Sequence, residues 1–207
     1  DKGITPTGNI TTYADAINQL CLCGESVEGT ELYIENVGDI DGYFKLEKYN
    51  SPTYTPNLIY RIDNGEWFEY DTTNLPVIVV LSGSKIYLKG NNPNGFNQED
   101  NNYYKITFST SFNIGGYLTS LLALDNFNTI TDIPNYSFYR LFFQQSNLLN
   151  AEDLKTDNII NVGNNGFQNC FYRCTLTIPP NFNNVTTVGD YGFSDCFTEC
   201  TLTIAPN

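Results

Sequence analysis

Val162-Gly-Asn-Asn-Gly-Phe-Gln-Asn-Cys-Phe-Tyr-Arg-Cys-Thr-Leu-Thr-Ile-Pro-Pro-Asn181 is followed by Val188-Gly-Asp-Tyr-Gly-Phe-Ser-Asp-Cys-Phe-Thr-Glu-Cys-Thr-Leu-Thr-Ile-Ala-Pro-Asn207. The two segments are offset by 26 residues and identical at 13 of 20 aligned positions. A decayed copy, Ile133-Pro-Asn-Tyr-Ser-Phe-Tyr-Arg-Leu-Phe-Phe-Gln-Gln-Ser-Asn-Leu148, precedes them. Self-similarity at a fixed period of this length is the signature of a solenoid, whose coils each bury an apolar face against the next. Residues 123–207 are therefore expected to form about three coils. Their core columns would be Phe167, Cys170, Cys174, Leu176 and Ile178, repeated as Phe193, Cys196, Cys200, Leu202 and Ile204.

Upstream the pattern changes. Short runs rich in Tyr, Ile, Val and Phe predict strands at 31–35, 43–48, 58–63, 66–71, 77–81, 85–89 and 103–108. Asn64-Gly65 suits a type I′ hairpin turn, in which both central residues need positive φ. Ser82-Gly83-Ser84 suits a second tight turn, and the Asn-rich 91–102 segment reads as an exposed loop between neighbouring strands. Strands at this spacing predict an antiparallel β-sandwich or small barrel over 25–122. Residues 1–24, with Gly and Pro among Thr, read as a leader. The fold class expected is mainly β: an antiparallel β-sandwich followed by a short repeat solenoid.

Composition narrows the function. Ten Lys and Arg against 23 Asp and Glu give a net charge of -13, which disfavours nucleic acid and anionic membrane surfaces as partners. No apolar run has the length of a membrane span. The chain has no His, which removes the commonest general base and metal ligand and closes Ser/His and Cys/His catalysis. Fifteen Tyr and 14 Phe supply the burial that a disordered chain lacks.

The repeat carries a family resemblance. Val-Gly-x-x-Gly-Phe-x-x-Cys at 162–170 and 188–196, with Leu-Thr-Ile at 176–178 and 202–204, resembles the BspA-type leucine-rich repeat. Gly166 and Gly192 stand where that family usually has Ala, and Cys174 and Cys200 are additional. Tyr60-Arg-Ile-Asp-Asn-Gly-Glu-Trp67 and Ser82-Gly-Ser-Lys-Ile-Tyr-Leu-Lys-Gly90 are similar to the β-domain attached to such repeats in gut bacteria and their phages. The resemblance implies a leucine-rich-repeat-like solenoid in a non-catalytic protein displayed on a virion or bacterial cell surface, used for adhesion or attachment.

Candidate sites follow from residue type. Cys170/Cys174 and Cys196/Cys200 have spacing that four-thiolate zinc would accept, but their place in the repeat favours a buried apolar stack. An inter-coil disulfide is the other alternative. Asp39-Ile-Asp-Gly42 opens like a calcium loop yet lacks the later acidic ligands. Tyr43, Tyr60, Trp67 and Tyr70, with Tyr49, Tyr87, Tyr103 and Tyr104, are candidates for an aromatic contact surface. Glu66, Glu69 and Asp71 beside Trp67, Phe68 and Tyr70 are the residues a carbohydrate-binding or carbohydrate-active module would use. No cofactor is expected. The chain starts without Met and stops at the close of a repeat, so the expectation is that further repeats or another chain cover the solenoid end. Partners are then other protein chains, in a homo-oligomer or larger assembly, and a host-surface glycan or protein.

Overall fold

The computed structural model describes residues 31–205. The leader at 1–24, with Cys21 and Cys23, lies outside the described residues. What is described is mainly β, with two short 3₁₀ turns and no α-helix among the described residues.

Two sheets hold the upstream block. The larger has the order β10-β8-β1-β6-β3-β4, with β1 Leu32–Asn36, β3 Ile59–Ile62, β4 Phe68–Glu69, β6 Lys85–Lys89, β8 Phe112–Tyr117 and β10 Leu148–Lys155. All its pairings are antiparallel except β10 with β8. The smaller is antiparallel, in the order β5-β2-β7, with β2 Gly42–Tyr49, β5 Ile78–Val80 and β7 Tyr103–Phe108. Neither sheet closes on itself, which excludes the barrel. Phe44 and Leu46 of β2 alternate with outward Tyr43 and Lys45, as the two-residue period of a strand requires. With Ile106 and Phe108 they join Ile34, Ile86, Leu88, Phe112 and Ile114 of the larger sheet in one apolar core.

All seven expected strands are present: those at 85–89 and 103–108 have the expected ends, the other five are shifted by one or two residues at their ends, and 66–71 shortens to Phe68–Glu69. The 62–65 turn departs from expectation: Gly65 N–H closes on the Ile62 carbonyl, and the positive φ falls at Asp63 rather than at Asn64 and Gly65. Residues 91–102 connect the two sheets instead of neighbouring strands, because β6 and β7 belong to different sheets. Their interior is buried: Phe96 and Asn97 are inaccessible.

The repeats continue both sheets. Three short parallel strands, β9 Asp132–Ile133, β11 Asn161–Val162 and β12 Thr187–Val188, form a third sheet in the order β12-β11-β9. After each comes a run of overlapping turns in which every fourth residue has positive φ: Tyr136, Arg140 and Gln144, then Asn165, Asn169 and Arg173, then Tyr191, Asp195 and Glu199. The first run lies against the free edge of β7, where Ile106 N–H donates to the Leu141 carbonyl. β10, from the same repeat, extends the larger sheet at β8 and then bridges to Ile178. Residues Glu31–Asn207 accordingly form one compact unit. No helix among the described residues is long and apolar enough to cross a membrane.

Candidate functional site

Stacking of the repeats decides where their side chains go. Phe138, Phe167 and Phe193 form one column, and Phe142, Phe171 and Phe197 another, with adjacent ring centroids 5.1–5.5 Å apart. Phe167, Cys170, Cys174, Leu176 and Cys196 are buried; Ile178, Phe193, Cys200 and Leu202 are half-buried; Ile204 is exposed. The four described cysteines are free thiols. Cys174 and Cys200 donate to the carbonyls of Phe142 and Phe171, one repeat back. Burial pushes the Cys174 thiol up to about 12 and likewise raises those of Cys170 and Cys196. Among the described residues no group of Cys and acidic side chains could hold a metal ion. At the 39–42 turn, Asp41 instead accepts a hydrogen bond from Ser82 N–H.

The expected aromatic surface is dispersed. Tyr43 stands exposed on β2, while Tyr70 is a core residue whose hydroxyl donates to the Pro76 carbonyl and accepts from Leu46 N–H. Tyr60 is half-buried against Phe68 and Tyr70. Trp67 carries Arg61 at 5.3 Å and Lys89 at 4.5 Å from its ring centre, so its ring is already engaged by two cations. Asp71 caps a turn by accepting from Thr73 and Asn74 N–H, and those hydrogen bonds hold its carboxyl below the usual carboxylate range.

A different set of rings comes together where β2 and β7 meet the repeats. Exposed Tyr49 stacks on Tyr103 at 4.9 Å, Tyr103 meets Phe143 edge-on at 6.5 Å, and Phe143 stacks on Tyr172 at 5.2 Å. The Arg140 guanidinium sits among Tyr103, Tyr139 and Phe143, 4.8–5.4 Å from each ring centre, and its Nε is buried without a hydrogen-bond partner. Arg173 lies over Tyr172 and forms a two-pronged pair with Glu199 at 2.8 and 3.0 Å. Lys105 and Lys45 flank Glu47; burial opposes its ionisation, but the two ammonium groups hold its pKa low. Burial raises the Tyr103 and Tyr139 hydroxyls, Tyr139 to about 12, although nearby Arg140 pulls the other way. Beside this row lies a shallow concavity of about 520 Å³, lined by Arg140, Phe143, Gln144, Asn169, Tyr172 and Arg173 among others.

No protein-family model, curated protein or solved structure matches this chain.

The chemistry of the ring row therefore rests on its own geometry. Flat apolar faces beside guanidinium and carboxamide groups suit a ligand with apolar ring faces and many hydroxyls, which is the description of a sugar. Tyr49 and Tyr103 were visible as candidates in the sequence. Phe143, Tyr172 and Arg140 were not, although the repeat alignment places Phe143 and Tyr172 in one column.

Proposed function

We propose that this chain is a non-enzymatic attachment protein displayed on a phage virion or a bacterial cell surface, and that it binds host-surface glycan through the accessible rings Tyr49, Phe143 and Tyr172, with buried Tyr103 holding the row together. In this reading the two sheets form a β-sandwich that runs on into a short leucine-rich-repeat-like solenoid of the BspA type. The observation that carries it is the continuous aromatic row with Arg140 caged against it, beside an open polar concavity. A shallow, open site of this kind favours surface recognition over chemistry, since catalysis needs enclosed, water-excluding groups. The test is surface plasmon resonance against a panel of immobilised host-surface oligosaccharides. Binding should fall at least tenfold in a Tyr49→Ala/Tyr172→Ala double variant with an unchanged melting temperature, and no sugar should be hydrolysed. Failure of the parent protein to bind any of them, or equal binding by the double variant, overturns the reading.

A further inference from the structure

Charge around the ring row runs against that of the rest of the chain. With ten Lys and Arg against 23 Asp and Glu, the molecule is strongly acidic. Its polar concavity of about 410 Å³ at 152–157 and 181–184 follows suit, setting Glu152, Asp153 and Asp157 against Lys155. The two concavities that flank the ring row are reversed. The smaller, of about 130 Å³, carries Lys48 and Lys105 with Glu47, beside Tyr49 and Tyr103. The larger carries Arg140 and Arg173 with Asp195, beside Phe143 and Tyr172. Four of the ten cations of the chain thus stand along one row of rings.

Two of these four are already matched. Lys105, with Lys45, holds Glu47 at 3.3 and 2.9 Å, and Arg173 holds Glu199. Lys48 and Arg140 form no ion pair among the described residues. Lys48 is exposed, and water solvates its ammonium group. Arg140 is half-buried, caged by the rings of Tyr103, Tyr139 and Phe143, and its Nε is buried without a partner. Ring contacts offset only part of what a desolvated charge loses on leaving water. They also hold the guanidinium in place, so it can meet an anion in the concavity with little further loss of side-chain freedom.

The column that Arg140 belongs to gives the site a direction. Arg140, Asn169 and Asp195 occupy equivalent positions of the three repeats, each with positive φ. The larger concavity therefore runs from a cation through a carboxamide to a carboxylate. An anionic group is attracted at the Arg140 end and repelled at the Asp195 end, where a carboxylate accepts from hydroxyls instead. Resting on the reading of the ring row as a glycan site, we propose that its ligand is an acidic sugar whose carboxylate or sulfate group docks on Arg140, with its hydroxyls toward Asn169 and Asp195. A planar guanidinium takes two oxygens of such a group through parallel N–H bonds, whereas a neutral sugar leaves the caged charge unpaired.

The experiment compares matched oligosaccharides by surface plasmon resonance: one ending in a sialic acid, one carrying a sulfate ester, and the neutral counterpart of each, made by carboxyl reduction or desulfation. The parent chain should bind an acidic form at least tenfold more tightly than its neutral counterpart, and added salt should shrink that preference. The acid that shows the larger preference tells carboxylate from sulfate. Asn169→Asp leaves the cage intact and places next to Arg140 the residue type that the third repeat already has in this column. It should remove most of the preference while leaving neutral-sugar binding unchanged. Arg140→Met, which keeps an apolar stem among the rings, should do the same. Equal binding of acidic and neutral forms by the parent chain overturns this proposal and leaves the glycan reading standing. A preference undiminished in Asn169→Asp also overturns it. A parent chain that binds no sugar of either kind overturns the glycan reading itself, and the acidic ligand with it.

Discussion

Phe167 and Phe193 lie with ring planes 3° apart and centroids 5.1 Å apart, and Phe182 meets both edge-on at 5.0 and 4.9 Å. Such contacts fix the vertical register of the second and third repeats. Removing a fully buried ring leaves a cavity as well as lost transfer energy. Phe167→Ala should therefore cost about 3–5 kcal/mol in urea unfolding. Phe193→Ala, half-buried at the open end, should cost less than half as much; equal losses would mean the stack does not transmit packing as described.

Asn97 ties the connecting loop to the first repeat. Its Nδ2 donates to the Tyr104 and Tyr139 carbonyls, while its Oδ1 accepts from Tyr104 N–H and the Tyr54 hydroxyl. Leaving such buried groups unpaired costs about 1–3 kcal/mol each. Asn97→Leu should lower stability by at least ~2 kcal/mol and speed exchange at Tyr104 N–H, measured by denaturation and by hydrogen exchange.

Gly189 sits where the Asn164 carboxamide reaches up to the next repeat. A methyl group there must displace that oxygen or the backbone beneath it. Gly189→Ala should cost about 1–3 kcal/mol. The loss should appear first as faster exchange at Gly189 and Asp190 N–H, with β1 and β6 unaffected.

Alkaline pH should loosen the repeats before the sheets. A thiol whose folded pKa is raised binds its proton more tightly when folded, so its stabilising effect is complete below the unfolded value and fades as pH rises through the folded one. For Cys174 that window runs from the ordinary thiol value of 9.0 to about 12. Each such thiol should steepen the loss by about 1.4 kcal/mol per pH unit within its window. A Cys174→Ala variant should show a flatter stability profile above pH 9, and iodoacetamide should label Cys200 before Cys170 or Cys196.

Much of the upstream block was legible because strand signals there are local. β2 and β7 alternate apolar and polar residues, and all seven runs became strands. β8 was missed because Gly115 and Gly116 interrupt its pattern. Both are needed by distant neighbours: a Cβ on Gly115 would strike the Tyr33 ring, and Gly116 adopts φ +77° against the Glu31 carbonyl. β10 was missed because Leu148-Leu-Asn-Ala-Glu-Asp-Leu-Lys155 has no clean period of two, and its strand form depends on the edge β8 offers it, with two register shifts on the way. The loop at 91–102 looked solvent-facing from its Asn content, yet Asn92 and Asn97 are buried because their side chains satisfy backbone groups of other segments.

The sequence by itself determined the 26-residue period and the columns of Phe and Cys, since a repeated spacing dictates which side chains meet when copies stack. It also determined the absence of imidazole chemistry. Only the tertiary structure decided that the repeats continue the sheets at β7 and β8, that Tyr49, Tyr103, Phe143 and Tyr172 line up, and that N–H groups of the turn runs donate forward to the next repeat while those of the short strands donate back. Those features rest on hydrogen bonds and ring contacts between residues tens of positions apart, and no local pattern encodes the direction in which a backbone N–H points.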